Sequence, residues 1–307
     1  MNPSIAVLGS LHLDVVVRAP RLPLLGETLI GTSRVLQAGG KGLNQAVACA
    51  RAGVATRMLG AIGDDSFGRS LRAHLVANAV DVDNVITLRG HASGMSVAIV
   101  EDAGDYAATV VSGANAELSE SIVASWGPAL RNSAALVLQN EVPVVANLAA
   151  ARFMASLGRP VILNAAPTRE SSPEALAGVS LLVVNAIEAE MMGSPAVNDL
   201  KTAEVAALFL LERLGPAVVV TAGPSGAAWA SRGGERGCVG GRSVRVVSTL
   251  GAGDAFIGHL TSSLVEGAGL GVAVAAANDA AARHISGPDQ QAGSAIPGGS
   301  SLGEPPR

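Results

Sequence analysis

Aromatic side chains are nearly missing from this chain: four Phe, two Trp and one Tyr among 307 residues, or 2%. Any core is therefore built from Ala, Val, Leu and Ile, and a hydrophobic fraction of 49% is enough for one large core, or a core with a small appendage. Cysteine is equally scarce. Cys49 and Cys238 are the two present, and neither stands in a metal-ligand spacing; Cys49 falls in an alanine-rich helical pattern and reads as plain core. A basic excess is absent as well. Lys and Arg number 21 against 25 Asp and Glu, a formal net charge of −4, which argues against nucleic acid as a partner because phosphate-backbone binding needs a basic surface. A small phosphorylated ligand is not excluded, since local amides and a few cations can hold it. No apolar run reaches the roughly 20 residues that cross a bilayer; the stretch 267–277 is too short and is flanked by charge. Met1-Asn2-Pro3-Ser4 lacks the basic start of a secretory signal. The expectation is a cytoplasmic protein with no membrane partner.

Two familiar nucleotide loops are also missing. A Walker loop needs Gly-x-x-x-x-Gly-Lys-Ser/Thr; Gly40-Lys41 comes nearest, but Val35 and Gly42 stand where Gly and Ser/Thr are required. The dinucleotide fingerprint fails at Phe256, which occupies its last small-residue position.

Glycine, by contrast, is abundant, and its most informative use is Thr249-Leu250-Gly251-Ala252-Gly253-Asp254-Ala255-Phe256. An extended apolar run over 244–247 precedes it and an apolar segment, Phe256-Ile257-Gly258-His259-Leu260, follows, so the pattern predicts strand, tight turn and helix. Two glycines around an alanine let the backbone approach a ligand closely. The first helical turn leaves N–H groups without partners, and its dipole favours an anion there. Asp254 then stands out, because a carboxylate among such amides would repel the anion unless it removes a proton from the group attacking it. That pairing of anion hole and base suggests phosphoryl transfer. Taken alone, the tetrapeptide also fits an ordinary strand-to-helix turn with an acidic first-turn residue.

The rest of the chain supplies the context. Ile5-Ala6-Val7-Leu8 reads as a buried strand ended by Gly9-Ser10, and Val15-Val16-Val17 and Glu27-Thr28-Leu29-Ile30 read as short strands broken by turns at Pro20 and Pro23. Gly39-Gly40-Lys41-Gly42 opens a helix closed by Gly53. A strand over 57–62 and a helix to about residue 76 follow. Strands over 95–100 and 106–111 around Asp102-Ala103-Gly104-Asp105 make a hairpin pattern. From Ala134 the rhythm is strand, helix, strand, helix, with strands ending in Gln139, Asn164, Asn185 and Thr221. Continuous apolar strands alternating with helices indicate a parallel sheet covered on both faces, with ligands beyond the carboxyl ends of its strands. The β-rich stretches at about 13–38 and 93–112 interrupt this rhythm and are expected to form a small separate sheet, a lid.

These residues, in this order, resemble the ribokinase-like, or PfkB-type, carbohydrate kinases. Gly9-Ser10-Leu11-His12-Leu13-Asp14 is similar to the family's N-terminal substrate motif, and Gly39-Gly40-Lys41-Gly42-Leu43-Asn44-Gln45-Ala46 to its first signature. Asn185-Ala186-Ile187-Glu188 resembles its Asn-x-x-Glu motif, Thr221-Ala222-Gly223-Pro224-Ser225-Gly226 its phosphate turn, and Gly251-Ala252-Gly253-Asp254 its second signature. The resemblance runs through nearly the whole chain. It implies a three-layer α/β/α domain over 1–307 with a mostly parallel central sheet and a small β-sheet lid. The segment 288–307 is expected to be a partly flexible tail.

The resemblance further implies transfer of the ATP γ-phosphate to a sugar hydroxyl, a primary hydroxyl of a pentose such as ribose. Asp254 would be the base, and the amides of Gly251, Ala252 and Gly253 the anion hole. His12, Asp14, Gly39, Gly40, Lys41, Asn44 and Glu141 fall on the sugar side. Asn185, Thr221, Gly223, Gly226 and Asn278 fall on the nucleotide side, with Asn185 and Glu188 reaching Mg²⁺ through water. Partners are the sugar, ATP and a second copy of the chain, joined through the lids. Two departures matter. His12 stands where ribokinases usually place Asn. Ser248 stands where potassium-activated members carry an Asp that helps hold the cation, so a K⁺ site drawing on Ser248 and Leu250 is weakened. The alternatives left open are another acceptor (deoxyribose, a nucleoside or a ketohexose) and a catalytically silent sugar- or nucleotide-binding homologue.

Overall fold

The computed structural model describes residues 3–101, 105–169 and 171–287, with Tyr106 taken by its backbone alone. The expected tail over 288–307, including Pro288-Asp289-Gln290-Gln291, lies outside these residues, as do Asp102, Ala103 and Gly104 of the hairpin turn. The chain enters through β1 (Ser4–Leu8), departs through β2 (His12–Ala19) and β3 (Ser33–Gly39), and returns by α1 (Lys41–Arg51) to β4 (Ala55–Gly63). Next come α2 (Ser66–Ala77), β5 (Val80–Asp81), β6 (Val85–Leu88), the hairpin β7 (Gly94–Glu101) and β8 (Tyr106–Val111), and the short helices α3 (Glu120–Ser125) and α4 (Gly127–Arg131). The remainder is β9 (Ala135–Gln139), α5 (Val144–Ser156), β10 (Val161–Asn164), β11 (Leu181–Asn185), α6 (Ala186–Met191), α7 (Leu200–Leu214), β12 (Ala217–Thr221), β13 (Gly226–Ala230), β14 (Arg236–Gly240), α8 (Ala252–Val265) and α9 (Leu270–Ser286).

The large sheet runs β14-β13-β12-β11-β10-β9-β1-β4-β5, with β6 also on β4. Its ladders are parallel from β12 to β5, and β13 and β14 add an antiparallel edge. Successive side chains of a strand point to opposite faces, and both faces here are apolar. Ile5 and Val7 of β1 join Leu43 and Val47 of α1, Leu71 of α2, Phe256 and Leu260 of α8 and Val274 of α9. Ala6 and Leu8 join Val123 of α3, Leu130 of α4, Met154 of α5 and Leu210 of α7. Three layers result. Fully burying a Val or Leu side chain is worth about 1.5–3 kcal/mol, so this core draws its stability from the number of aliphatic groups rather than from large rings.

A second sheet, β3-β2-β7-β8, stands apart from the first. Its strand β2 begins where β1 has ended, and β3 runs straight into α1, so the small sheet grows out of the carboxyl edge of the large one.

Three expectations are corrected. Residues 27–30 form no strand: Glu27 turns back to accept from the Leu24 N–H at 2.9 Å and to pair with Arg21, leaving Ile30 exposed with no strand beside it. Residues 244–247 form no strand either. Beyond β14 the chain lies along α9, where the Val247 N–H donates to the Ile285 carbonyl at 2.8 Å, and Val246 and Val247 stay exposed. The connection from β10 to β11 has no α-helix among its described residues; Pro167 and Pro173 each remove a donor from it.

Candidate active site

The site forms where β1, β9, β10, β11 and β12 end. Gly40, at φ +91°, turns the chain from β3 into α1; a Cβ there would lie 2.9 Å from the Ser10 carbonyl oxygen. The turn seats the start of α1 on the end of β1, with the Leu43 N–H donating to Ser10 at 3.0 Å.

Asp254 lies in the first turn of α8, half-buried, and faces α1. The Gln45 Nε2 donates to one carboxylate oxygen at 3.0 Å and the Asn44 Nδ2 to the other at 3.3 Å. Gln45 is wholly buried and its amide is fixed on three sides. Its Nε2 also donates to Asn164 Oδ1 at 3.0 Å, and its Oε1 accepts from Gln139 Nε2 at 2.8 Å. Burial pushes the Asp254 carboxyl above the usual carboxylate range; the nearby Lys41 charge and the two amide hydrogen bonds oppose this, and the Glu141 charge adds to it. A carboxylate held this way, with its proton affinity raised, can accept a proton from an alcohol.

A second carboxylate, Asp14 on β2, accepts from the Ser96 hydroxyl at 2.6 Å. Its pKa is also raised, first by burial and further by Glu141, with Ser96 and His12 acting against the shift. Glu141 accepts from the Lys41 N–H at 2.8 Å and from the Ser10 hydroxyl. Glu141 thus acts on both Asp14 and Asp254, which makes the three carboxylates and Lys41 one cluster. His12 is 4% exposed, and its Nε2 has no hydrogen-bond partner among the described residues. Its ring packs so closely on Gly94 that a Cβ there would lie 2.4 Å from it. Gly39 presses on Asp14 in the same way, leaving bare backbone at the wall of the cluster.

On the other side of Asp254, Gly251 is the N-cap of α8 at φ +75°, and no side chain caps the helix. The Ala252 N–H makes a long turn bond to Thr249 at 3.3 Å; Gly253 and Asp254 lie in the first turn, where amides have no acceptor inside the helix. Thr221 ends β12, and Gly223 (φ +54°) and Gly226 (φ +115°) shape the turn into β13. Asn185 and Glu188 close on each other: Asn185 Oδ1 accepts from the Glu188 N–H at 2.8 Å, and Glu188 Oε2 accepts from the Asn185 N–H at 2.9 Å. Spacing by three is that of a capping box. Burial raises the Glu188 pKa, against the hydrogen bond from Asn185 and the Lys41 charge. The cap takes one lone pair of the Asn185 oxygen, and the second oxygen of Glu188 is a donor that could meet a hydrated Mg²⁺. Among the described residues no group of three or more His, Cys, Asp or Glu could hold a metal, and Mg²⁺ usually binds through one or two carboxylates plus phosphate and water.

Asn278 lies within α9, and its Nδ2 donates to the Gly240 carbonyl at 3.0 Å. Ser248 Oγ accepts from the Leu250 N–H at 3.2 Å, and the Leu250 carbonyl is 3.0 Å from His284 Nε2. Sequence reasoning assigned no role to Gln45, Ser96 or His284. Gln45 carried a usable signal: with Gly42, Ala46 and Cys49 it marks the buried face of α1, and a polar residue at such a position needs a partner. A cleft of about 510 Å³ opens at the opposite, amino end of β11 and β12, lined by Leu176, Val179, Leu214 and Arg232 among others; it holds no carboxylate and is remote from this chemistry.

The described residues include no helix long and apolar enough to cross a membrane. Among curated proteins, this chain is 32% identical to a ribokinase of Haemophilus influenzae over 266 residues, 87% of each chain. It is 34% identical to a ribokinase of Schizosaccharomyces pombe over 274 residues, 86% of each. Among solved structures, Arabidopsis thaliana ribokinase complexed with ribose and ATP superposes with a TM-score of 0.86 at 26% identity, covering 96% of both chains. The family model for pfkB carbohydrate kinases matches residues 2–295, so the chain belongs to the pfkB family of carbohydrate kinases, which use ATP to phosphorylate sugars.

Proposed function

We propose that this protein transfers the γ-phosphate of ATP to the primary hydroxyl of a pentose, ribose first, giving ribose 5-phosphate. The observation that carries the reading is the Asp254 carboxylate, gripped by Gln45 and Asn44 between the Asp14–Glu141 carboxylate cluster and the uncapped start of α8. The sugar hydroxyl gives its proton to Asp254 as its oxygen bonds to the γ-phosphorus, and the bond to the leaving ADP oxygen breaks. The amides of Gly251, Ala252 and Gly253 receive the charge of the migrating group, so the protein's part is positioning and charge compensation. Asp14, Asn44 and Glu141 accept or donate to the other hydroxyls, with His12, Gly39, Gly40 and Lys41 completing the wall. Thr221, Gly223 and Gly226 lie on the phosphate side, and Asn278 on the adenine side. A Mg²⁺ near Glu188 would neutralise phosphate charge. The second sheet serves as a lid over the sugar, and its exposed Val110 and Val111, with Leu24 and Leu25 of the β2–β3 connection, offer a face for pairing two copies; sedimentation as a monomer would exclude that pairing.

The function is tested by ADP release with ATP and a panel of ribose, deoxyribose, nucleosides and ketohexoses. Fastest turnover with ribose supports the reading; preference for another acceptor keeps the chemistry and moves the substrate. Ligand binding without turnover on any acceptor would leave a silent homologue.

The Gln45 amide makes its own prediction. In Gln45→Leu the Asp254 carboxylate loses a hydrogen bond that lowers its pKa, while Lys41 and Glu141 continue to act on it. The acid limb of the kcat profile therefore moves to higher pH, with ATP affinity unchanged. A profile superimposable on the wild type would show that Gln45 does not act on the base.

A further inference from the structure

The loop carrying the Gly251–Gly253 amides is strapped to α9. Asn278 holds Gly240, Asp279 pairs with Arg242 at 2.6 Å, Ile285 accepts from Val247 at 2.8 Å, and His284 reaches Leu250 at 3.0 Å. The last contact is the one nearest the amides. Leu250 immediately precedes the N-cap Gly251, and a Cβ on Gly251 would lie 3.0 Å from His284 Nε2, so the ring is seated against the cap itself.

A carbonyl oxygen can only accept, so His284 Nε2 carries the proton and donates. An N–H aimed at a carbonyl has the same polarity as a bound cation and competes for the same lone pairs. Potassium-activated members of the family are expected to hold their ion against this same loop. Among the described residues, the donors on this loop do not fit one. Ser248 offers a neutral hydroxyl in place of a carboxylate and accepts the Leu250 N–H, and the Leu250 carbonyl is engaged by His284.

We propose that His284 takes the structural place of a monovalent cation, bracing the Leu250 carbonyl so that the Gly251–Gly253 amides stay aimed at the transferred phosphoryl group, and that turnover is independent of K⁺. His284 is a positioning residue here, acting through the loop. The inference rests on the anion-hole reading of that loop.

The test compares kcat in K⁺, Na⁺ and N-methylglucammonium chloride at equal ionic strength, alongside His284→Ala and His284→Gln. Equal rates within about twofold across the salts are expected for the wild type. His284→Ala should lose at least about tenfold in kcat, the scale on which small misplacements act, with the sugar KM unchanged. His284→Gln, which keeps an N–H donor, should recover part of the loss. Thermal unfolding supplies a readout apart from activity: K⁺ should not raise the wild-type Tm above that in N-methylglucammonium. Activation or stabilisation of the wild type specifically by K⁺ would overturn the proposal, as would an unchanged kcat in His284→Ala. Should His284→Ala fail to fold, the wild-type salt comparison still decides. A wild type inactive toward every sugar would instead defeat the functional reading.

Discussion

Asp254→Asn is expected to reduce kcat by about 10²–10⁴-fold, the usual contribution of a positioned general base, while ATP affinity is nearly unchanged. The asparagine fills the same space between Gln45 and Asn44 but cannot take the proton of the attacking hydroxyl. At neutral pH the substitution trades the cost of a buried charge against one lost amide contact, because the asparagine NH₂ meets a donor from Gln45 or Asn44, and the variant's stability relative to the wild type should rise with pH. In the folded protein the Asp254 pKa is raised, mainly by burial, so the folded state binds the proton more tightly than the unfolded chain does. Stability is then lost as pH rises from the unfolded value through the raised one, because the buried carboxylate is forced to ionise. Asparagine removes that cost, and the advantage should vanish once acid protonates Asp254 in both states. Activity has the matching sign: the base works only when deprotonated, so wild-type kcat falls as pH drops through the raised pKa. A mutant retaining substantial turnover would mean that another group takes the proton. Denaturant unfolding across pH checks the stability half separately.

Gly258→Ala should uncouple stability from activity. Gly258 and Ala48 mark the crossing of α8 and α1, where a Cβ on Gly258 would lie 2.6 Å from both the carbonyl carbon and the Cβ of Ala48. One helical turn earlier on each helix stand Asp254 and Asn44, themselves 3.3 Å apart. The added methyl gains up to about 1 kcal/mol of helix propensity but must displace backbone, at about 1–3 kcal/mol for overpacking. The net loss of stability should therefore be modest. The loss of rate should be larger, because spreading the helices by about 1 Å at the crossing separates the base from its amides, and such a shift can cost about 10²-fold. Equilibrium unfolding and kcat measured on one preparation test both halves. An alanine variant with wild-type kcat would show that the crossing does not set the Asp254 geometry.

Much of this was legible in residue order. The alternation of apolar strands and helices indicated the covered parallel sheet, because a strand buried on both faces has no polar side to show. The glycine clusters around Gly40 and Gly251 marked places where backbone had to turn tightly. The Asp14, Asn44 and Asp254 positions followed from motifs. Other features were not legible, for specific reasons. An apolar run such as 244–247 reads as a strand, but a strand exists only with a neighbour to pair, and the neighbour here is α9. The Asn185–Glu188 spacing serves a helix cap as well as a shared ligand, and only the positions of the two side chains show the cap. Nothing near His284 in sequence connects it to Leu250, which lies on another element.

Sequence alone therefore determined the layers, the family and the chemical types gathered at the carboxyl edge of the sheet. Tertiary structure decided which amides grip Asp254, which glycine meets the facing helix and which imidazole meets the loop before α8. Those facts depend on distances between residues far apart in the chain, and local pattern carries no information about such distances until the core has packed.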